Sequence, residues 1–405
     1  MNADTDKSLR VIVLGGGYAG LVAAIRLAQS ERPRFEVLLI DRDEAFVDVT
    51  RLHTTVNRPL AEIQTAYRTL ADRHRFQFRR ATPVFDSTVL SVWQQQQAIT
   101  LADETLPFDY LVIGTGSVGG VFESAGNSEL TARRQINLEQ IKHTGVAASV
   151  QRVLLERDPP NRAISIVGAG PSGIQFLFEL DSYLTRQRER CRLNLINADP
   201  QVLSGFPRRM GRYVDRQMTN RSGIYHYPDS RYIGQQGDRI ELEDRNGQRL
   251  TLDSQLTLLC TGNQPTPAAL HANAYGQLLI DDTVLPTVYG VGDCCRFAGS
   301  GLNTLSAQAA IRKAKQVVGN ICRHGLGQPP VEYRYQEQGY VVSLGAANAV
   351  GWVLSQDNIL TGLGAVAVQQ AVETQFDLLL RGYDTYLDLG FGQKASDVSQ
   401  PVENH

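Results

Sequence analysis

Two short glycine-rich segments carry the residues best suited to chemistry. The first is Gly15-Gly16-Gly17-Tyr18-Ala19-Gly20, a G-x-G-x-x-G pattern at Gly15, Gly17 and Gly20. In such a turn the first glycine permits a tight reversal, the second lets backbone approach a pyrophosphate, and the third lets helix pack on strand. A helix starting there adds free N–H groups and partial positive charge for phosphates. Asp41 follows 21 residues after Gly20, where a carboxylate accepts hydrogen bonds from an adenosine ribose, and Arg42 adjoins it. The second segment is Gly168-Ala169-Gly170-Pro171-Ser172-Gly173. Asn197 stands where its acid is expected; it hydrogen-bonds but carries no charge to repel a 2′-phosphate, and Asp199 lies two residues further on. The first turn predicts a bound dinucleotide. The second predicts NAD(P)H binding, or else a duplicated domain that has lost its ligand.

Each turn needs a strand before it and a helix after it. Arg10–Leu14 is a short apolar run ending at the first glycines, Tyr18–Ser30 has helical spacing, and Phe35–Ile40 reads as a second buried strand. Ala163–Val167, Ile174–Thr185 and Arg192–Ile196 repeat that plan about 150 residues later. Phe76–Phe78, Thr88–Trp93 and Ala98–Leu101 read as a small meander with the Gln94–Gln97 run at its tip or edge. A buried strand, Asp109–Ile113, then ends at Gly114-Thr115-Gly116. Arg239–Leu242, Arg249–Leu252 and Gln255–Leu259 echo that layout and end at Thr261-Gly262. Thr287–Asp293 is a further strand ending in Gly292-Asp293, followed by a helix over Leu305–His324.

Composition narrows the function classes. At 405 residues, ~150 per domain gives two to three domains. An apolar fraction of 42% is enough for packed cores. The 40 Lys plus Arg against 42 Asp plus Glu lack the basic bias of nucleic-acid binders. The five cysteines, Cys191, Cys260, Cys294, Cys295 and Cys322, form no C-x-x-C, so neither a disulfide scaffold nor a cysteine metal site is expected. Cys294 and Cys295 read as small packing residues. The uncharged stretch Gln338–Gln356 is broken by glycines and reads as a β-hairpin, where a membrane span would need ~20 mainly apolar residues. The first ten residues have no apolar core, so a cytoplasmic protein is expected.

VIVLGGGYAG with Asp41, DYLVIGTGS, SIVGAGPSG, LTLLCTGNQP and VYGVGDCC follow one another between residues 11 and 295. In this the chain resembles the two-dinucleotide-binding flavoproteins, the pyridine nucleotide–disulfide oxidoreductase superfamily. The resemblance implies FAD on the first turn, with Thr115 and Gly116 in that site. It implies NAD(P)H on the second turn, with Gln175, Asn197 and Gly262, and it sets Asp293 against the flavin ribityl chain and phosphate. Within the superfamily the chain is most similar to the type II NADH:quinone oxidoreductase group. Arg51-Leu52-His53 follows Asp41, and Ala307-Gln308-Ala309-Ala310 is similar to the A-Q-x-A-x-Q that lines that group's quinone pocket. The C-terminal part lacks the His-rich dimerisation segment of disulfide reductases. The region Asp48–Val56, where those enzymes carry a redox cysteine pair, has no cysteine, so thiol–disulfide exchange there is unavailable.

Three departures fall on the donor or acceptor side: Arg312 replaces the second Gln of A-Q-x-A-x-Q, Gln175 stands where many relatives have Glu, and Asn197 replaces the ribose acid. Arg51 and His53 are the candidates nearest the flavin. His can exchange a proton near its ordinary pKa of ~6.5, and Arg can bind a carboxylate or an oxyanion. A solvated Arg and a packed His are the competing reading. Gln308 and Arg312, one turn apart on one helix face, are candidates for the acceptor side.

The expected fold is α/β: two Rossmann-like three-layer dinucleotide-binding domains with a C-terminal α+β cap. The FAD domain spans residues 1–120 and 263–335, the NAD(P)H domain 121–262, and the cap 336–405. The expected activity is an FAD-dependent oxidoreductase that passes a hydride from NAD(P)H to FAD, and electrons on to a quinone-like or other small organic acceptor. Two alternatives stand beside it: a flavin oxidase or dehydrogenase of an organic substrate without NAD(P)H, and a non-catalytic redox sensor. No metal is expected, and a homodimer is left open. Docking on a membrane through the tail is disfavoured, because Asp377, Asp384, Asp388 and Asp397 outweigh Arg381 and Lys394. Val366, Val368, Val372, Phe376, Leu379 and Leu380 are expected to cover the flavin domain or a partner subunit.

Overall fold

The computed structural model describes residues 8–102, 104–119, 134–265 and 269–385. Asp388, Lys394 and Asp397 of the tail, and Lys7, lie outside the described residues.

Strands Leu9–Leu14, Phe35–Asp41 and Tyr110–Ile113 carry the unalternating apolar runs Val11–Leu14, Val37–Ile40 and Tyr110–Ile113, which suit strands covered on both faces. They form the middle of an eight-stranded sheet. In spatial order its strands are Cys295–Phe297, Leu270–Ala272, Gln277–Ile280, Thr283–Gly290, Tyr110–Ile113, Leu9–Leu14, Phe35–Asp41 and Gln77–Arg80. The last five pair in parallel. Helix Tyr18–Ala28 covers one face and packs against helix Ala307–Gly325.

A second sheet is parallel throughout, in the order Gln135–Asn137, Leu256–Leu259, Ala163–Val167, Arg192–Ile196, Ile224–Tyr227. Beside it lies an antiparallel sheet of Ser230–Gln236, Arg239–Asp244 and Arg249–Asp253. In both of these sheets the strand that feeds a glycine turn is flanked by parallel neighbours. Each turn therefore opens at the carboxyl end of a central strand, where open α/β sheets bind ligands. This is the two-unit Rossmann-like α/β plan that the sequence predicts.

The C-terminal part bridges the two units. Its antiparallel sheet, Gly339–Ser343, Ala349–Val353 and Ser355–Thr361, contributes Val342, Val350 and Trp352 to the second core, and the turn after the first strand adds Leu344. Its helix, Gly362–Leu380, ends with Phe376, Leu379 and Leu380 buried in the first core. The stretch Gln338–Gln356 is the expected hairpin. Among the described residues no helix is long and apolar enough to cross a membrane.

One local expectation is corrected. Thr88–Trp93 is no strand of a meander but part of a helix, Ser87–Gln96. Its β-branched residues favour a strand, but Asp86 caps the first turn by accepting from the Val89 N–H at 2.8 Å. Leu90 and Trp93, three apart, then bury together. The Gln94–Gln97 run is that helix's last turn rather than a hairpin tip. Gln97 takes the left-handed cap, and its Nε2 donates to Thr287 Oγ1 at 3.0 Å. Phe76–Phe78 likewise belongs elsewhere: Gln77–Arg80 is the edge strand of the large sheet.

Candidate functional site

The two glycine turns have the same backbone construction. Gly15 and Gly168 both sit at positive φ, +95° and +104°. A Cβ at Gly20 would fall onto the carbonyl of Gly15, and one at Gly173 onto that of Gly168. A Cβ at Gly17 or Gly170 would meet nothing within 4 Å. The middle glycine of each turn therefore leaves open space on the side where a ligand backbone contact is expected, while the outer two serve the protein's own packing. Tyr18 and Ala19 open the first helix, Pro171 and Ser172 the second.

Asp41 ends its strand as expected. It accepts the Gly16 N–H and, at 2.8 Å, the Asp43 N–H. Arg42 turns outward to Glu139. At the second turn Asn197 is buried and spends its amide on the carbonyls of Asp199 and Gln201, at 2.8 and 2.9 Å. Its role is thus to shape the turn. That turn is pinned to the glycine loop, since the Leu203 N–H donates to the Ala169 carbonyl at 2.9 Å. Asp199, held by the Ser204 hydroxyl at 2.7 Å, is the exposed carboxylate it presents.

Asp293 follows Gly292 in a short 3-10 turn. One carboxylate oxygen takes the Ser117 hydroxyl at 3.1 Å, and the other is buried without a partner among the described residues. Burial pushes its pKa up, against Ser117 and Lys313, which lower it. A buried acceptor left open is costly unless a ligand donates to it. Thr115 and Gly116 lie on the adjoining loop, where a Cβ at Gly116 would also meet nothing. The open glycine positions and the unpartnered Asp293 oxygen fit a dinucleotide with a hydroxylated chain, as the flavin expectation requires.

The candidates after Asp41 are differently placed than free reactive groups. Asp48 caps the 3-10 helix Val49–Val56 and is buried. It accepts the Tyr18 hydroxyl, the Thr50 hydroxyl at 2.6 Å and Arg51 Nε at 2.7 Å. Arg51 also donates to Asp377 of the C-terminal helix at 3.0 Å. The guanidinium is thus tied into the protein. His53 is buried, and loss of solvation pushes its pKa down to about 4. It is neutral at ordinary pH and is no ready acid there. Tyr18 packs its ring on Phe46 and Phe376, with centroids 5.2 and 4.7 Å apart.

Gln308 is the second residue of helix Ala307–Gly325, which Ser306 caps, and Arg312 follows one turn later. Arg312 reaches Gln338 Oε1 at 3.5 Å. Beside it Glu337 accepts from the Ser306 hydroxyl at 3.4 Å, and burial raises its pKa. Gln175 is half-buried in the first turns of helix Pro171–Gln187, and Gly262 follows the strand beside the second turn. On that helix Glu179 accepts from Asn57, joining the two units. The sequence reading missed Asp48 and Glu337 as site residues. Asp48 had a local signal, an acid two residues before Thr50 at a helix start; Glu337 had none, because its partner Ser306 lies 31 residues away.

A model of the pyridine nucleotide-disulphide oxidoreductase family matches residues 9–314. The type II NADH:quinone oxidoreductase of Staphylococcus epidermidis is 24% identical over 402 residues, 90% of this chain and 94% of the relative. That of Staphylococcus saprophyticus is 22% identical over 400 residues, 92% and 96%. Among solved structures, NDH2 of Plasmodium falciparum in complex with NADH is similar at TM-score 0.73, with 13% identity over 91% of this chain and 95% of that one. The sulfide:quinone oxidoreductase of Aquifex aeolicus is similar at TM-score 0.74, with 17% identity over 93% and 92%.

Proposed function

The chain belongs to the pyridine nucleotide-disulphide oxidoreductase family, and on that premise we propose that it is an FAD-dependent NAD(P)H oxidoreductase serving a quinone-like or other small organic acceptor. The observation that carries this reading is the doubled glycine turn, with Gly17 and Gly170 open and the outer glycines filled by protein in both copies. A flavin supplies two-electron chemistry between a pyridine nucleotide and a second substrate. The first turn, Asp41, Ser117 and Asp293 would hold FAD; the second turn and the Asp199 loop would hold NAD(P)H. The names of the staphylococcal relatives support a quinone as the acceptor class.

The protein's own part is to bind, orient and exclude. Helix starts at Tyr18 and Pro171 offer N–H groups to phosphates. Asp48 fixes Tyr18 and Arg51, and the C-terminal helix, carrying Phe376 and Asp377, closes over them. Gln308 and Arg312 in the first turns of one helix supply donors and a positive charge, and the half-buried Glu337 adds a carboxyl beside that helix's Ser306 cap. They are the groups proposed to meet the acceptor. Asp48–Val56 has no thiol, so thiol–disulfide exchange from that segment is unavailable, which speaks against a disulfide reductase.

The test is anaerobic stopped-flow reduction of the purified protein at flavin wavelengths with NADH and with NADPH, followed by mixing with a short-chain quinone. Rapid bleaching by either nucleotide and rapid recovery with quinone is the expected result. A flavin that neither nucleotide bleaches overturns the donor assignment.

A further inference from the structure

Only five of the 40 basic residues are lysines, and one of them, Lys313, is 2% exposed. Lysine is rarely buried unless its charge is met. Lys313 lies on helix Ala307–Gly325, one residue after Arg312, but points inward. Its Nζ donates to the Cys295 carbonyl at 2.5 Å and to the Gly292 carbonyl at 3.2 Å, and lies 5.2 Å from the centre of the Phe297 ring. These two carbonyls bracket Asp293. The ammonium has three donors and no acceptor, so it suits a pocket lined by acceptors. Burial, helped by Arg296, lowers the Lys313 pKa, and the Asp293 carboxylate works against that shift. A compact ammonium can join two carbonyls at a tight turn where the planar fork of arginine has no room to turn.

We propose that Lys313 is a positioning residue of the flavin site: it ties both ends of the Gly292–Cys295 turn, thereby sets Asp293, and keeps a positive charge beside it. This rests on the reading of the first unit as the FAD site. The side chain is rooted in the helix that also presents Gln308 and Arg312. One residue thus joins the turn that holds the cofactor to the helix proposed to face the acceptor. A positive charge kept there would favour the reduced, anionic form of a flavin bound at this site, so loss of the Lys313 charge is expected to lower its midpoint potential.

The experiment compares wild type with K313Q and K313M. FAD affinity is measured by titrating FAD into flavin-stripped protein, the midpoint potential of bound flavin by dye-equilibrated reductive titration, and folding by thermal melting of the stripped protein. K313M, which removes donors and charge, is expected to weaken FAD binding at least ~10-fold. K313Q keeps amide donors and is expected to bind FAD better than K313M, at a lower potential than wild type. Should K313M fail to fold, K313Q decides. A folded K313Q with wild-type affinity and wild-type potential overturns the inference, while a change in either at an unchanged melting temperature supports it. A wild type that takes up no flavin overturns the FAD reading itself, and this inference with it.

Discussion

The hydroxyl of Tyr18, inside the first glycine turn, is donated to Asp48, thirty residues further along the chain. Asp48 also takes Thr50 and Arg51, so one buried carboxylate ties the cofactor turn to the following loop and, through Arg51, to the C-terminal helix. Asp48→Ala leaves a buried hydroxyl and a half-buried guanidinium without their partner and removes a helix cap. It should cost about 3 kcal/mol of stability. Tyr18→Phe leaves Asp48 its other donors and should cost about 1 kcal/mol. Urea unfolding of both variants checks the ranking; equal losses would mean that Asp48 is not the centre of the network.

His53 predicts a pH effect on stability. Its pKa falls from 6.5 to about 4 on folding, because burial penalises the charged ring. Between those values the unfolded chain binds a proton that the folded protein refuses. The stability contribution is intact above pH 6.5 and is lost as pH falls toward 4, by roughly 3 kcal/mol in all. Unfolding curves at pH 7, 5.5 and 4.5 should show a steeper decline for wild type than for His53→Gln. Parallel declines would show that His53 takes up its proton as readily in the folded protein as in the unfolded chain.

The glycines separate ligand effects from folding effects. Gly17→Ala and Gly170→Ala place a methyl in open space, so melting temperatures of the ligand-free protein should barely change. Gly17→Ala should weaken FAD retention, and Gly170→Ala should slow reduction by NAD(P)H while leaving flavin content intact. A Gly17→Ala protein with full flavin content would remove the first turn from the cofactor site.

Asp293→Ala should lose flavin on gel filtration, read as the ratio of flavin to protein absorbance. Asp293→Asn, which keeps an acceptor oxygen, should retain more. Unchanged flavin content in Asp293→Ala would contradict the assignment of the unpartnered oxygen to the ligand.

Asp199 bears on the choice between NADH and NADPH. Asn197 spends its amide on the turn, which leaves Asp199 as the exposed negative charge on a loop pinned to the second glycine turn. A carboxylate there repels a 2′-phosphate, so NADH should be preferred. Asp199→Ser should raise kcat/KM for NADPH relative to NADH roughly tenfold, the size of a modest like-charge repulsion. An unchanged ratio would place the ribose elsewhere.

Much of the molecule was legible in the residues themselves. The glycine spacing, the unalternating apolar runs before it and the helical spacing after it are local properties, so both strand–turn–helix units and the Gly292-Asp293 turn stand where the sequence places them. Local patterns were ambiguous at Ser87–Gln96. There β-branched residues favour a strand, and the Asp86 cap with the buried Leu90 and Trp93 decides for a helix.

What the sequence determined by itself is therefore the plan: two dinucleotide-type units, no thiol pair beside the first, and a family. The tertiary structure alone decided which candidate side chains are free to act. Arg51 finds Asp377 across 326 residues, and Lys313 finds the turn around Asp293 from the far side of the helix–sheet interface. His53 loses its ordinary pKa only because the fold removes its water. Spacing along a chain encodes periodic local structure. The burial and charge pairing that set reactivity depend on contacts between distant residues, which exist only once the chain has folded.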